Sequence, residues 1–191
     1  MKVIALTGGI GSGKSVVSAM LRVMGYRVYD CDSRARSLMD GSQEIKNKLV
    51  REFGADAVSP AGEIDRKYIA RRVFGDGEAL RVLNGIVHPA VRQDLQRWVA
   101  DAAACGCGCV FVETAILRNS NLRDLVSHEW NVHAPVEVRV GRVMKRNGLP
   151  REAVEARIKA QAGEEPGEGA SIIVNDGISA VLPQVTALLK K

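Results

Sequence analysis

Short apolar runs alternate with longer amphipathic stretches along this chain of 191 residues. The apolar runs have the composition of buried strands, and they lie at residues 2–7, 26–30, 109–113, 130–134 and 172–174. Between them, apolar residues recur three or four positions apart, as they do on helices that cover a sheet. The pattern therefore predicts an α/β protein in which a five-stranded parallel sheet lies between two helical layers.

The interval between the second and third runs is longer than a crossover between parallel strands requires. Residues 33–88 show helical spacing almost throughout, whereas a crossover needs only about a dozen residues. We therefore expect an inserted helical subdomain over residues 33–88. The same spacing continues beyond Pro89, where we expect the helix to break or kink just after His88.

The first predicted strand is followed by GGIGSGKS at residues 8–15. This octet fits the P-loop pattern G-x-x-x-x-G-K-[ST], and it lies between a strand and a helix as that motif requires. Its glycines leave backbone N–H groups free to converge on phosphate oxygens, and the helix adds its positive N-terminal end. The motif predicts a P-loop NTPase fold that binds a phosphorylated nucleotide, with Lys14 on the β- and γ-phosphates and the Ser15 hydroxyl on Mg²⁺. The residues of this stretch predicted to contact the nucleotide are Gly9, Ile10, Gly11, Ser12, Gly13, Lys14, Ser15 and Val16.

Two acids, Asp30 and Asp32, stand at the end of the second predicted strand. Ligands of open α/β sheets bind outside the carboxyl ends of the strands. Asp32 is also a competent N-cap for the following helix, and capping is compatible with a chemical role. Because Asp32 stands beside a P-loop, we expect it to have a functional role at the nucleotide site as well.

A basic segment follows the fourth predicted strand. Arg142 and Arg146 are four residues apart and so share a helix face, as do Arg157 and Gln161. Such charge-rich helices are usually solvated surfaces. Beside a P-loop, however, an arginine can stabilise the charge on a transferring phosphoryl group and be worth about 10³ or more in rate. We therefore expect a catalytic arginine here, and a mobile loop after it at residues 162–169.

The net charge of +5 and the pI near 9.2 suit nucleic acid and polyanionic small molecules alike. Aromatic residues make up only 4% of the chain and do not alternate with basic ones, so a nucleic-acid partner is not expected. An apolar leader and an apolar stretch of membrane-spanning length are both absent from the sequence. We expect a cytoplasmic protein with no membrane partner, which is a monomer or a weak homo-oligomer.

Three of the four cysteines form a cluster, namely Cys105, Cys107 and Cys109. A C-x-C-x-C spacing without a Cys-x-x-Cys pair or a nearby histidine does not complete a tetrahedral zinc set. We therefore favour small hydrophobic residues at the entry to a buried strand over a metal site.

Several motifs together resemble the dephospho-CoA kinase family over nearly the full chain. They are Leu6–Ser15, Tyr29–Asp32 with Arg36, the Leu-Asn-x-x-x-His-Pro segment within Leu83–Val91, and the spacings R-x-x-x-R, R-x-x-x-Q and N-x-G formed by Arg142, Arg146, Arg157, Gln161, Asn175 and Gly177. The resemblance implies transfer of the γ-phosphoryl group of ATP to the ribose 3′-hydroxyl of dephospho-CoA. Mg²⁺ is the implied cofactor, and coenzyme A and ADP are the products.

The resemblance also implies roles for individual residues. Asp32 is the base that receives the hydroxyl proton, Lys14 and Arg142 stabilise phosphoryl charge, and Asn175 joins Arg142 at the ATP site. The implied acceptor-binding residues are Asp32, Arg36, His88, Ile116, Leu117 and Arg157. For His88 two interpretations stay open, namely contact with the acceptor and a hydrogen bond near Pro89.

A single kinase domain with three parts follows from these assignments. The core is expected at about residues 1–32, 89–140 and 164–191, and the acceptor-binding helical insert at about 33–88. The arginine-bearing helices at about 141–163 are expected to form a helical lid.

One segment departs from the family pattern. After the third strand the family has Pro-Leu-Leu followed by an acid that contacts the acceptor. Here residues 113–119 have Ala115 in place of the proline and no downstream acid, although the apolar pair is kept as Ile116 and Leu117. Glu113 stands at the strand end, where a carboxylate could hold a water molecule of Mg²⁺.

Two alternatives stay open on the sequence. One is another small-molecule P-loop kinase that acts on a nucleoside or a similar alcohol, and the other is a nucleotide-binding switch that is not a kinase. The segment Leu83–Pro89 argues against the first, and the absence of a guanine-reading Asn-Lys-x-Asp motif argues against the second. Added acceptor distinguishes a kinase from a switch, because only a kinase needs it to release ADP.

Overall fold

The computed structural model describes residues 1–190 and confirms the α/β class with a five-stranded parallel sheet. The strand order across the sheet is β2-β3-β1-β4-β5. The strands are β1 (Lys2–Thr7), β2 (Arg27–Asp30), β3 (Cys109–Glu113), β4 (His128–His133) and β5 (Ser171–Val174). The helices are α1 (Lys14–Val23), α2 (Cys31–Gly41), α3 (Gln43–Phe53), α4 (Arg66–Val73), α5 (Gly77–Ala104), α6 (Val136–Asn147), α7 (Arg151–Lys159) and α8 (Val181–Leu189). Within residues 1–190, no helix combines the length and the apolar composition needed to cross a membrane.

The chain divides into two compact units, and the first contains the whole sheet. This sheet unit consists of Met1–Asp30 and the chain from Val99 onward. Its core joins apolar residues from one face of the sheet to one face each of α1 and α8, because an apolar sheet face has to be buried against helices. The buried residues of this core are Ile4, Leu6, Val17, Leu21, Phe111, Trp130, Val132, Ile173 and Val185.

The carboxyl ends of the five strands meet at one edge of the sheet, because all strand pairs are parallel. The register pairs Glu113 of β3 with Leu6 of β1 on one side and with Asp30 of β2 on the other. It also pairs Thr7 of β1 with Asn131 of β4. Polar residues of four strands therefore lie around the start of the P-loop, at the edge where such sheets bind ligands.

The second unit, Cys31–Trp98, is helical and has a core of its own. Its buried core residues are Ile45, Leu49, Phe53, Ala57, Ile64 and Ile69. Asp65 caps α4 by accepting the N–H of Tyr68 at 2.8 Å. Arg34 of α2 donates two hydrogen bonds, of 2.8 and 2.7 Å, to the buried carboxylate of Asp94 on α5. This helical unit thus holds its helices together by its own apolar cluster and by a bidentate ion pair.

Of the two outcomes expected at Pro89, a break and a kink, the break does not occur. α5 runs from Gly77 to Ala104 with Pro89 inside it. The proline has no N–H to donate to the carbonyl of Gly85. However, Ile86 and Ala90 on either side of it pack against the same apolar core. Continuing the helix keeps both side chains packed, and their burial offsets the missing hydrogen bond.

Candidate active site

The P-loop adopts a backbone that its glycines make possible. Gly11 and Gly13 have φ values of 78° and 99°, in the left-handed region where other residues are strained. A Cβ on Gly13 would also collide with the side-chain amide of Asn175. α1 begins at Lys14 directly after this turn, and the Lys14 ammonium donates to the carbonyl oxygen of Gly8 at 2.7 Å. The turn therefore combines a helix N-terminus and a cation, which together favour an anion.

Arg142 of α6 and Asn175, which follows β5, hold the P-loop together. The Arg142 guanidinium lies 3.4 Å from the carbonyl oxygens of Gly11 and Ser12, and it donates to the main-chain and side-chain oxygens of Asn175 at 3.0 and 3.2 Å. The side-chain nitrogen of Asn175 donates to the Ser12 carbonyl oxygen at 2.8 Å. The structure thus brings together two predicted ATP-site residues that lie far from the P-loop in sequence.

Two further side chains occupy both backbone groups of Ile10. The side-chain oxygen of Gln161 accepts the Ile10 N–H at 2.7 Å, and Arg139 Nε donates to the Ile10 carbonyl oxygen at 2.9 Å. The Arg139 guanidinium also fills the space where a Cβ of Gly9 would lie. Burial lowers the pKa of Arg139, although an arginine keeps its charge at neutral pH. Arg139 was not a predicted site residue, and its one signal in the sequence was its place in the basic segment.

Acidic and hydroxyl groups collect where β3 ends. The carboxylate of Glu113 accepts the hydroxyl of Ser18 on α1 at 2.6 Å. Asp30 is the register partner of Glu113 on β2. Ser15 lies in the first turn of α1, about one helical turn before Ser18. This end of the sheet unit therefore offers several hard oxygen donors next to the P-loop helix.

A buried network supports Thr7, the residue before the P-loop. The Thr7 hydroxyl donates to Glu129 Oε1 at 2.8 Å and accepts from the side-chain amide of Asn131 at 3.0 Å. Glu129 Oε2 accepts the N–H of Gly167 at 3.2 Å and lies 4.0 Å from the guanidinium of Arg118. Glu129 is only 6% exposed, and these partners are what permits its burial. Thr7 and Glu129 were not predicted as site residues, because the local pattern of a strand does not show which distant residues its polar side chains contact.

The two predicted acceptor contacts after β3 differ in exposure. Ile116 is partly exposed, whereas Leu117 is 1% exposed, so the Leu117 side chain packs in the interior. The Leu117 carbonyl oxygen accepts the hydroxyl of Ser120 at 3.2 Å. The next two residues, Arg118 and Asn119, donate their N–H groups to the carboxylate of Glu164 at 3.0 Å each. The loop at 162–169, predicted to be mobile, is therefore attached to the loop after β3.

A cavity of about 520 Å³ opens beside the P-loop within the sheet unit. Its lining includes Gly9 and Ser12 of the P-loop, His133 at the end of β4, Arg139 and Gln161. Within residues 1–190, the Ser12 hydroxyl is buried without a hydrogen-bond partner, so it is available to a ligand or water. The volume is typical of a small-molecule site.

The remaining predicted residues lie on helices. Asp32 and Arg36 are four positions apart on α2 and both are exposed, so they share one helix face. His88 of α5 is half-buried, and this burial lowers the pKa of its imidazole. Arg157 is exposed on α7. The roles of these four residues stay predictions.

Comparison with known proteins gives the family of this chain. The chain matches the family described as dephospho-CoA kinase over residues 2–180. It is similar to the dephospho-CoA kinase of Carboxydothermus hydrogenoformans, with 32% identity over 194 residues that cover 100% of this chain and 94% of the relative. Its structure is similar to that of TT1252 from Thermus thermophilus, with a TM-score of 0.81 and 37% identity over 99% of this chain and 94% of the other. Its fold is also similar to that of dephospho-CoA kinase from Campylobacter jejuni, with a TM-score of 0.71 and 23% identity over 100% of this chain and 96% of the other. The chain therefore belongs to the dephospho-CoA kinase family.

Proposed function

We propose that this chain transfers the γ-phosphoryl group of ATP to the ribose 3′-hydroxyl of dephospho-CoA, with its P-loop holding the donor. ATP-dependent phosphorylation of dephospho-CoA to coenzyme A is the activity of its family. The observation that carries the assignment of the donor site is the attachment of Arg142 and Asn175 to the carbonyl groups of Gly11 and Ser12. These contacts place a cation from α6 and the turn after β5 directly against the phosphate-binding loop.

Phosphoryl transfer requires the protein to position the reactants and to stabilise charge. We assign Lys14 to the β- and γ-phosphates, because its ammonium lies at the P-loop and within 2.7 Å of the Gly8 carbonyl oxygen. We assign Arg142 to the charge that develops on the transferring group. The P-loop at residues 9–16 surrounds the phosphates in this proposal, with Asn175 keeping the loop in place.

Mg²⁺ is the cofactor that we propose for the reaction, and it prefers hard oxygen ligands. The Ser15 hydroxyl would hold the ion directly, and Glu113 would hold one of its water molecules. The carboxylate of Glu113 already accepts the hydroxyl of Ser18, one turn beyond Ser15 on α1, so these donors fit the ion. Bound there, Mg²⁺ neutralises negative charge on the phosphate oxygens.

Asp32 is the base in this proposal, and it receives the proton of the attacking hydroxyl. It follows Asp30, the last residue of β2, by two positions, and it shares an exposed face of α2 with Arg36. A carboxylate beside a cation suits an acceptor that carries both a hydroxyl and phosphate groups. The other proposed acceptor contacts are His88, Ile116, Leu117 and Arg157.

Two helical segments have different roles in this proposal. The insert at about 33–88 binds dephospho-CoA, and the segment at about 141–163, which contains α7 and most of α6, acts as a lid that keeps water from competing as acceptor. A cytoplasmic location and a monomer or weak homo-oligomer stay predictions.

A coupled assay of ADP release tests the proposed function. Dephospho-CoA, adenosine, pantothenate and shikimate are offered as acceptors, each with ATP and Mg²⁺. We expect ADP release with dephospho-CoA and none above background with the other three. ADP release without any acceptor, or a preference for another alcohol, would contradict the proposal.

A further inference from the structure

The segment of residues 161–167, called here the bridge segment, is attached to the P-loop at its first residue. Gln161 accepts the N–H of Ile10 at 2.7 Å, and this bond joins residues 151 positions apart in the sequence. Three residues later, Glu164 accepts N–H groups from the loop after β3. One short segment therefore contacts both the donor loop and the loop that carries Ile116 and Leu117.

The contact of Glu164 is made by both of its oxygen atoms. Oε2 accepts the N–H of Arg118 and Oε1 accepts the N–H of Asn119, each at 3.0 Å. A charged acceptor that takes two successive backbone N–H groups fixes both position and orientation, and such bonds are stronger than neutral ones. Glu164 thus fixes the backbone directly after Ile116 and Leu117.

The far end of the bridge segment is attached as well. The N–H of Gly167 donates to the buried Glu129 at 3.2 Å, and the same carboxylate accepts the hydroxyl of Thr7 at 2.8 Å. Thr7 is the residue before the P-loop. Both ends of the segment therefore depend on the region around the P-loop, and Glu164 lies between these two attachments.

We propose that Glu164 is a positioning residue for dephospho-CoA binding. Glu164 holds residues 116–119 against the bridge segment, and Gln161 holds the bridge segment against the P-loop. The position of residues 116–119 relative to the P-loop therefore depends on Glu164. A carboxylate from the segment before β5 thereby supports a loop in which residues 118–123, directly after Ile116 and Leu117, include no acid. The effect on the acceptor rests on the proposed function, in which this loop contacts dephospho-CoA.

Two variants and one matched control test this proposal. Glu164→Ala removes both acceptors, and Glu164→Gln keeps the size of the side chain but replaces one acceptor by an N–H donor. Glu165→Gln is the control, because the Glu165 carboxylate accepts the N–H of Gly163 two residues away and so makes a local contact. Thermal melts check that every variant is folded.

The first measurement is the amide hydrogen exchange of Arg118 and Asn119 in the protein without substrates. We expect at least about tenfold faster exchange at both amides in Glu164→Ala, a smaller increase in Glu164→Gln, and no change in Glu165→Gln. Unchanged exchange in Glu164→Ala would overturn the proposal. This readout does not depend on catalysis, so it stays informative if the proposed function fails.

The second measurement separates KM from kcat. We expect Glu164→Ala to raise the KM for dephospho-CoA about tenfold, with kcat and the KM for ATP within about twofold of wild type. Faster exchange with an unchanged KM for dephospho-CoA would overturn the positioning role. A failure of the proposed function looks different, because wild-type protein would then show no ADP release that depends on dephospho-CoA.

Discussion

Asn175 uses both polar atoms of its side chain to hold the P-loop. Its amide nitrogen donates to the Ser12 carbonyl oxygen at 2.8 Å, and its amide oxygen accepts from Arg142 at 3.2 Å. Asn175→Ala removes both bonds. Asn175→Asp keeps an acceptor for Arg142 but turns a carboxylate oxygen toward the Ser12 carbonyl oxygen. The two variants therefore separate the bond to the P-loop from the bond to the arginine.

The size of the effect follows from these bonds. A neutral hydrogen bond contributes about 1 kcal/mol net, and one that involves a charged group contributes about 1.5 to 3 kcal/mol. Arg142 keeps its 3.0 Å bond to the main-chain oxygen of Asn175 in both variants and is partly exposed, so we take about 2 kcal/mol for Asn175→Ala. This corresponds to about a 30-fold loss of kcat/KM for ATP. Asn175→Asp should lose at least as much, because two oxygen acceptors then face each other.

The assay is steady-state ADP release with ATP varied at saturating dephospho-CoA. Asp176→Ala is the matched control, because Asp176 accepts the N–H groups of Ile178 and Ser179 at 2.9 and 2.7 Å and so holds the same turn locally. We expect this control to keep kcat/KM for ATP within about threefold of wild type. Thermal melts of all three variants show whether they fold.

Near wild-type kcat/KM for ATP in Asn175→Asp would refute the reasoning, since the donor to Ser12 would then contribute nothing. An equal loss in Asp176→Ala would assign the effect to the shape of the turn rather than to the hold on the P-loop.

Three further predictions concern residues with separate roles. Lys14→Ala and Asp32→Asn should each lower turnover at least about 100-fold while the protein stays folded, because one removes a phosphate-binding cation and the other the base. Arg142→Ala should lower kcat far more than it raises the KM for dephospho-CoA, because its charge acts on the transition state. His88→Gln should flatten the pH dependence of stability between about pH 7.5 and pH 5.5. Burial lowers the pKa of His88 below its ordinary value of 6.5, so just below pH 6.5 the unfolded chain binds more protons and wild type loses stability as the pH falls.

Kinetics and denaturation check these three. Folded Asp32→Asn protein with near wild-type turnover would remove Asp32 from the role of base, and a change confined to KM would move Arg142 to ground-state binding. Urea midpoints measured across the pH range decide the third, and parallel profiles for wild type and His88→Gln would contradict it.

The fold was largely predictable because its strands carry a strong local signal. A parallel strand that is buried on both faces is apolar along its whole length, and the run Cys109–Glu113 was predicted with both of its ends correct. At Pro89 we expected a break or a kink, and the break does not occur. The local preference of proline was overcome by tertiary packing of Ile86 and Ala90.

The candidate site was predictable in the same uneven way. The P-loop is a run of consecutive residues, so its glycines, Lys14 and Ser15 could be assigned from spacing alone. Arg142 and Asn175 were assigned to the ATP site by resemblance, and the structure adds their shared hold on Gly11 and Ser12.

By itself, the sequence determined that this protein has a parallel α/β sheet, a phosphate-binding loop and the motifs of its family. Each strand, the loop and each motif is a pattern among residues that are close together in the sequence. The tertiary structure decided which distant side chains complete the loop. Arg139 and Gln161 on Ile10, and Glu164 on the loop after β3, join residues 129, 151 and 46 or 45 positions apart. The physical reason is the strand order, since β1 lies between β3 and β4. The segments that follow β3 and β4 therefore lie on either side of the P-loop, where their side chains can bond to the P-loop and to each other.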